Sequence, residues 1–152
     1  MRLLILLGLL FNHISYAQNK TVLEGKWKII SVQGDDMYLN FKTDSIALYG
    51  EFEGKVDKSQ AKLFIEPIKA SFGECFYLFG SKGRLEIIHN NQLDGTGTYL
   101  VDKRKSTITT TVTRNGLIVH EKMAFTVKDK LLHLVINYES EFKLTLEKVS
   151  SN

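Results

Sequence analysis

Residues able to do chemistry are few in this chain: it contains four histidines, a single cysteine and no known catalytic signature. Zinc sites and Cys–His nucleophile pairs need several such side chains at defined spacings. Cys75 alone cannot build a disulfide framework or a cysteine-based zinc cluster, and its apolar surroundings (Cys-Phe-Tyr-Leu-Phe) predict a buried, inert thiol. The P-loop, dinucleotide-binding, zinc-protease and nucleophile-elbow patterns do not occur. The sequence therefore predicts a protein that is not an enzyme, with no catalytic residues and no cofactor.

The histidines also fail to form a predicted metal site. His13 lies in the N-terminal leader described below, and His89 has no identified partner. His120 and His133 fall on two strands whose pairing would hold them roughly 20 Å apart at about 3.3 Å per residue. Their parity along the strands also points both outward. We therefore predict surface histidines and no bound metal.

The first residues have the pattern of an export signal. Arg2 precedes the nine apolar residues 3–11, and Ser15-Tyr16-Ala17 has the small-x-small form of a cleavage site. The apolar run is too short to cross a bilayer of about 30 Å as a helix. We predict a signal peptide over residues 1–17, a mature domain over 18–152, and a secreted or periplasmic protein with no membrane span after cleavage. The alternative is an uncleaved N-terminal anchor.

Length and composition predict one globular domain. The chain has 152 residues, 43% of them hydrophobic, and a formal net charge of +3. This charge is too small to indicate nucleic-acid binding, and the basic run Lys103-Arg104-Lys105 predicts a solvated turn. Nothing in the sequence sets the oligomeric state.

Strand patterns dominate the mature chain. Alternation of apolar and polar residues with period two recurs between turn residues such as Gly and Asn-Gly. About ten antiparallel strands follow, including one over 61–66, although the stretch 56–74 could instead hold a short helix or an irregular loop. An all-β, up-and-down barrel of about 8–10 strands would enclose the apolar face and leave no edges. The alternative is a two-sheet sandwich.

The last third of the chain allows strand registers to be predicted. Asn115-Gly116 is the strongest short hairpin signal, and Asp129-Lys130 predicts a second tight turn. A third turn of three residues, at 139–141, would pair Tyr138 with Phe142. One face of this four-strand meander is then apolar, and a slip of one residue would expose all of it.

The start of the mature chain carries a family resemblance. Leu23-Glu24-Gly25-Lys26-Trp27 places Gly-x-Trp at the beginning of the first strand, soon after the signal peptide. This pattern resembles the lipocalins, and more closely the small lipocalin-like secreted proteins of Bacteroidetes-type bacteria. The resemblance implies a barrel in which a cation from the last strand lies over the Trp at the closed end. Lys148 has the inward parity and the position for that role, where the family usually has Arg.

Four residues are the candidate ligand site. Glu121 has inward parity and lies opposite Thr110 and Tyr138, and Arg114 lies on the same face toward the end away from Trp27. A buried carboxylate needs hydrogen-bond partners, which Thr110 and Tyr138 can supply. The group is either a structural hydrogen-bonded cluster at the rim or a polar anchor for an otherwise apolar ligand.

Two functions follow from these observations. The first is a secreted binding protein that holds a small apolar or lipid-like ligand in the barrel. The second is a structural or protein-interaction module whose barrel is packed with its own side chains, since eight strands enclose little more than side-chain volume. A cavity of several hundred Å³ would favour the first.

Overall fold

The computed structural model describes residues 22–137 and 140–150. The predicted signal peptide over 1–17 and the candidate site residue Tyr138 lie outside this part of the chain. No helix in the described residues is long and apolar enough to cross a membrane.

Ten strands and one α-helix lie wholly within the residues that the structure describes, with short 3₁₀ turns at Gly50–Phe52 and Ser81–Gly83. The strands are β1 (Gly25–Gln33), β2 (Met37–Asn40), β3 (Ser45–Leu48), β4 (Cys75–Phe79), β5 (Arg84–His89), β6 (Gln92–Asp102), β7 (Thr107–Arg114), β8 (Leu117–Lys128), β9 (Leu131–Asn137) and β10 (Glu141–Lys148). Helix α1 (Lys58–Phe72) connects β3 to β4.

Eight of the strands close into an antiparallel barrel. Strands β4 to β10 follow one another as neighbours, and β10 returns to pair with β1, which also pairs with β4. The predicted all-β barrel is therefore confirmed, and the sandwich alternative is not what the chain forms. Closure leaves the apolar face of every barrel strand directed into one core.

Strand β1 pairs with two different strands along one of its edges. Its first half, through Lys28, pairs with β4, and its second half, from Ser31 to Gln33, pairs with β2. A register irregularity between Ile29 and Ser31 lies at this transition, as expected of a bulge that bends a strand. The β2–β3 hairpin is thereby directed away from the barrel, where helix α1 packs on it around a small second core of Leu39, Ala61 and Ile65.

Helix α1 corrects the strand predicted over 61–66. The segment belongs to a helix of 15 residues, so the helical alternative for 56–74 holds, with greater length than expected. Ala61 and Ile65 are buried on one helical face, a spacing of four that a strand cannot use. Asp57 Oδ1 accepts a hydrogen bond from the Gln60 amide at 2.9 Å and caps the N-terminus.

The first two predicted hairpin registers are confirmed, and the third is wrong by two residues. Thr110 lies opposite Glu121 and Phe125 opposite Leu134, as predicted. Ile136, however, pairs with Phe142, which the three-residue turn at 139–141 assigned to Tyr138. The connection has the predicted length of three residues, but it begins one residue earlier, because Asn137 already pairs with Glu141. Because the shift is an even number, the same side chains still face inward.

Candidate functional site

A cavity of about 350 Å³ opens at one end of the barrel. We call this end the mouth; it is where β7 turns into β8 at Asn115-Gly116 and where β4 begins at Cys75. The opposite end, which contains Trp27, is called the closed end. The lining residues of the cavity are Phe72, Tyr77, Ile87, Thr110, Val112, Arg114, Val119, Glu121, Ile136, Ser140, Phe142 and Leu144.

The size of the inward side chains explains why the cavity lies in the mouth half of the barrel. In the closed half, Trp27, Phe79 and Tyr99 are fully buried, and the last two meet edge to face with ring centroids 5.0 Å apart. Such rings fill the interior of an eight-stranded barrel. Toward the mouth, β7 and β8 present the smaller Val112 and Val119 to the interior, and space remains.

The polar residues predicted for the site meet in this cavity. Thr110 is 2% exposed, and Glu121, its cross-strand partner, is half-buried. Arg114 lies further toward the mouth and lines the same cavity. Three of the four predicted residues are therefore brought together, and the fourth, Tyr138, lies outside the described residues. Apolar walls with a few convergent polar groups are typical of small-molecule sites.

Asp94 is a polar group at the mouth that sequence reasoning missed. It forms a salt bridge with Arg114, and it belongs to β6, not to the turn that Asp94-Gly95 resembles in the sequence. Strand β6 is irregular here, because Ile87 pairs with Gly95 and Ile88 already with Leu93. A Cβ at Gly95 would lie 2.8 Å from Arg114 Cγ, so glycine makes room for the arginine to lie across the strand.

The end of helix α1 covers part of the mouth. Phe72, the last helical residue, lines the cavity, and its ring centroid is 5.8 Å from that of Phe142 on β10. His89 Nε2 lies 2.7 Å from the carbonyl oxygen of Ala70 and ties the helix to β5. Local patterns in the sequence define no position for α1 against the barrel, so neither contact could be predicted.

Cys75 is buried beside the cavity, as predicted for an inert thiol. Burial raises its pKa to about 11, an effect that the nearby Arg114 opposes and Asp94 reinforces. A thiol with so high a pKa carries almost no thiolate near neutral pH and is a poor nucleophile.

The closed end has the arrangement that the resemblance implied. Trp27 is 2% exposed, and its Nε1 donates a hydrogen bond to the Leu23 carbonyl at 2.7 Å. Lys148 lies opposite Trp27 in the β1–β10 ladder, with Nζ 5.3 Å from the ring centroid. A Cβ on Gly25 would lie 2.7 Å from Lys148 Cε, so the glycine leaves space for the lysine stem.

His120 and His133 lie on different strands, and each contacts a threonine. His120 Nδ1 is 3.0 Å from Thr111 Oγ1, and His133 Nδ1 is 3.3 Å from Thr145 Oγ1. These are cross-strand contacts on the outer face, which agrees with the outward parity predicted from the sequence.

A second, larger groove of about 490 Å³ lies outside the barrel, between the β2–β3 hairpin and α1. Asp44 and Lys69 form a salt bridge at its edge, and their hydrogen bond lowers the pKa of Asp44 and raises that of Lys69. Both groups are thereby paired with each other at the surface. We favour the barrel cavity as the candidate site because its polar groups converge on an apolar volume inside the barrel.

Comparison with known proteins supports the fold only. No protein-family model matches the chain, and no curated protein matches it. Among solved structures, the chain is similar to a DUF4847 family protein from Bacteroides vulgatus, with a TM-score of 0.52 and 13% sequence identity. The match covers 85% of this chain and 95% of that protein.

Proposed function

We propose that this protein is a secreted, lipocalin-like binding protein that holds a small apolar or amphipathic ligand in the mouth half of its barrel, and that it is not an enzyme. The observation that carries the proposal is the cavity of about 350 Å³ at the mouth. This volume falls within the range of about 300–1,000 Å³ that small-molecule sites occupy. A barrel serving only as a packed module would have no reason to leave its mouth half hollow.

The lining indicates the kind of ligand. Ile136 and Leu144 belong to an apolar wall deep in the cavity, whereas Arg114 and Glu121 lie toward the rim. An apolar body would fill the inner part, where removal of its surface from water is favourable by about 25 cal/mol per Å². A polar head group would lie beside Thr110 and the two charged side chains, where hydrogen-bonding partners are available.

A pair of matched tryptophan variants tests this site. Val119 lines the cavity and is 38% exposed, so Val119→Trp places a large ring into the mouth without overfilling the closed core. Ile118, its neighbour on β8, points to the other face and is 65% exposed. We expect Val119→Trp to weaken binding of an apolar fluorescent probe at least tenfold and Ile118→Trp to leave it unchanged.

The outcome separates the two functions considered from the sequence. Native mass spectrometry of protein from its own host is expected to show a retained ligand in the wild type and none in Val119→Trp. Equal probe binding by both variants would place the ligand elsewhere. Absence of both probe binding and a retained ligand would favour a packed interaction module.

Export is the second part of the proposal. Its support is the sequence Arg2, the apolar residues 3–11 and Ser15-Tyr16-Ala17. N-terminal sequencing of the protein from its host is expected to start at Gln18 or its cyclised form. An intact Met1 on a cytoplasmic protein would refute export, and an intact N-terminus in a membrane fraction would indicate an uncleaved anchor.

A further inference from the structure

The closed end of the barrel is strongly basic. It consists of the turns at 80–83, 103–106 and 129–130 together with the adjoining strand ends. Eight basic residues lie here against the four acidic residues Glu24, Glu86, Asp102 and Asp129. The basic residues are Lys82, Arg84, Lys103, Arg104, Lys105, Lys128, Lys130 and Lys148. Eight cations and four acids give this end a net charge of +4. Because the whole chain has a net charge of +3, all other residues together carry −1.

Most of these charges are available to a partner, although Arg84 forms a salt bridge with Glu86. All eight basic side chains belong to exposed residues, and Arg104, Lys105, Lys128 and Lys130 form no ion pair with another described residue. One of the neighbouring acids is already engaged, because Asp102 Oδ1 accepts a hydrogen bond from the Lys105 amide at 3.2 Å. Like charges clustered in this way raise the local attraction for anions.

We propose that the closed end docks on an anionic lipid bilayer and directs the mouth away from the membrane. Because the strand ends that carry these turns lie at one end of a barrel, the turns present charge over a broad face. A bilayer needs only such diffuse charge, with each Lys or Arg near the surface strengthening binding about fivefold. The exposed Val22 precedes β1, and the exposed Val149 donates its backbone amide to the Lys26 carbonyl on β1, so both add aliphatic contact with the interface at this end.

The same observations disfavour nucleic acid. Single strands are held by aromatic stacking, and among the side chains whose burial the structure describes, the exposed aromatic residues Tyr49 and Phe52 lie beside the β2–β3 hairpin. Reading a duplex requires a helix or a two-stranded ribbon in the major groove. The closed end offers short turns, none of which projects as such an element.

Cosedimentation with vesicles tests the docking. Vesicles of equal parts phosphatidylglycerol and phosphatidylcholine are expected to bind the protein, and pure phosphatidylcholine vesicles are not. The triple variant Arg104→Gln/Lys105→Gln/Lys130→Gln removes three turn cations and is expected to weaken binding on the order of 100-fold. High salt should also release the wild type, because exposed charges are screened.

A control variant of the same net charge makes the test specific. Lys55, Lys62 and Lys122 are exposed and lie away from the closed end, so Lys55→Gln/Lys62→Gln/Lys122→Gln is expected to bind within about threefold of wild type. Equal weakening by both triple variants would overturn the proposal, as would binding to neither or to both kinds of vesicle. Tighter binding to duplex DNA than to vesicles would assign this surface to nucleic acid.

The docking proposal is independent of the ligand proposal. The cations lie on the turns of the closed end, and the cavity opens at the mouth. The Arg104→Gln/Lys105→Gln/Lys130→Gln variant is therefore expected to bind the apolar probe like wild type. Val119→Trp is expected to bind anionic vesicles like wild type, so either proposal can fail alone.

Discussion

Replacing Trp27 with alanine is the sharpest test of the closed end. The ring is 2% exposed at the centre of the packed half of the barrel. Truncating a buried Trp or Phe to alanine costs about 3–5 kcal/mol, because apolar contact is lost and a cavity remains. The change also leaves the buried Leu23 carbonyl without its donor, which adds about 1 kcal/mol or more. We therefore expect a loss near the upper end of that range.

Lys148 provides the matched comparison. Its ammonium group lies 5.3 Å from the Trp27 centroid, but the residue is exposed. An exposed cation–π contact contributes about 0.5–1 kcal/mol, so Lys148→Met, which keeps an apolar stem, is expected to cost no more than this. In a double-mutant cycle with Trp27→Ala, the coupling energy is expected to have the same size.

These changes in stability are measured by urea unfolding. The unfolding is followed by far-ultraviolet circular dichroism and not by fluorescence, because Trp27→Ala removes the only Trp of the chain. Midpoints should shift while the slope m stays constant. A loss below about 1 kcal/mol for Trp27→Ala would contradict its central place in the core. If Lys148→Met lost as much unfolding free energy as Trp27→Ala, this would contradict the inference that Trp27 stabilises the fold mainly through its burial.

Three further variants probe the barrel and its cavity. Gly97→Ala should prevent folding or cost several kcal/mol, measured as soluble yield and melting temperature, because its Cβ would lie 2.7 Å from Val112 Cα and closer still to a backbone oxygen. Burial raises the pKa of Cys75 from 9.0 to about 11. The protonated thiol therefore contributes about 2–3 kcal/mol to folding below pH 9, and this contribution is lost as the pH rises to 11. In urea unfolding, the stability of Cys75→Ala should decline less than that of the wild type between pH 9 and 11, and an identical decline would contradict the assignment. Glu121→Gln should weaken apolar-probe binding and leave the melting temperature nearly unchanged, whereas a lower melting temperature with unaltered binding would mark Glu121 as structural.

Local sequence signals were enough for the pairings of β7 with β8 and of β8 with β9. Asn115-Gly116 favours one turn type, and the strict alternation on both sides then decides which side chains face inward. Glu121 and Thr110 could be placed opposite each other for this reason. The position of Lys148 over Trp27 required only parity and the antiparallel closure that the Gly-x-Trp resemblance implied.

Tertiary structure decided what local signals could not. The segment 61–66 has both helical and strand-like spacing of its apolar residues. Its helix is stabilised by packing on the β2–β3 hairpin, and a short stretch of sequence contains no information about that distant partner. The register of β10 against β9 depended on the fit of Phe142 against Ile136 and Phe72. The salt bridge of Asp94 with Arg114 joins residues 20 positions apart, through an irregularity in β6 that resembles a turn in the sequence. Periodicity determines which face a side chain occupies, whereas the cavity and its polar rim depend on which strands become neighbours when the sheet closes.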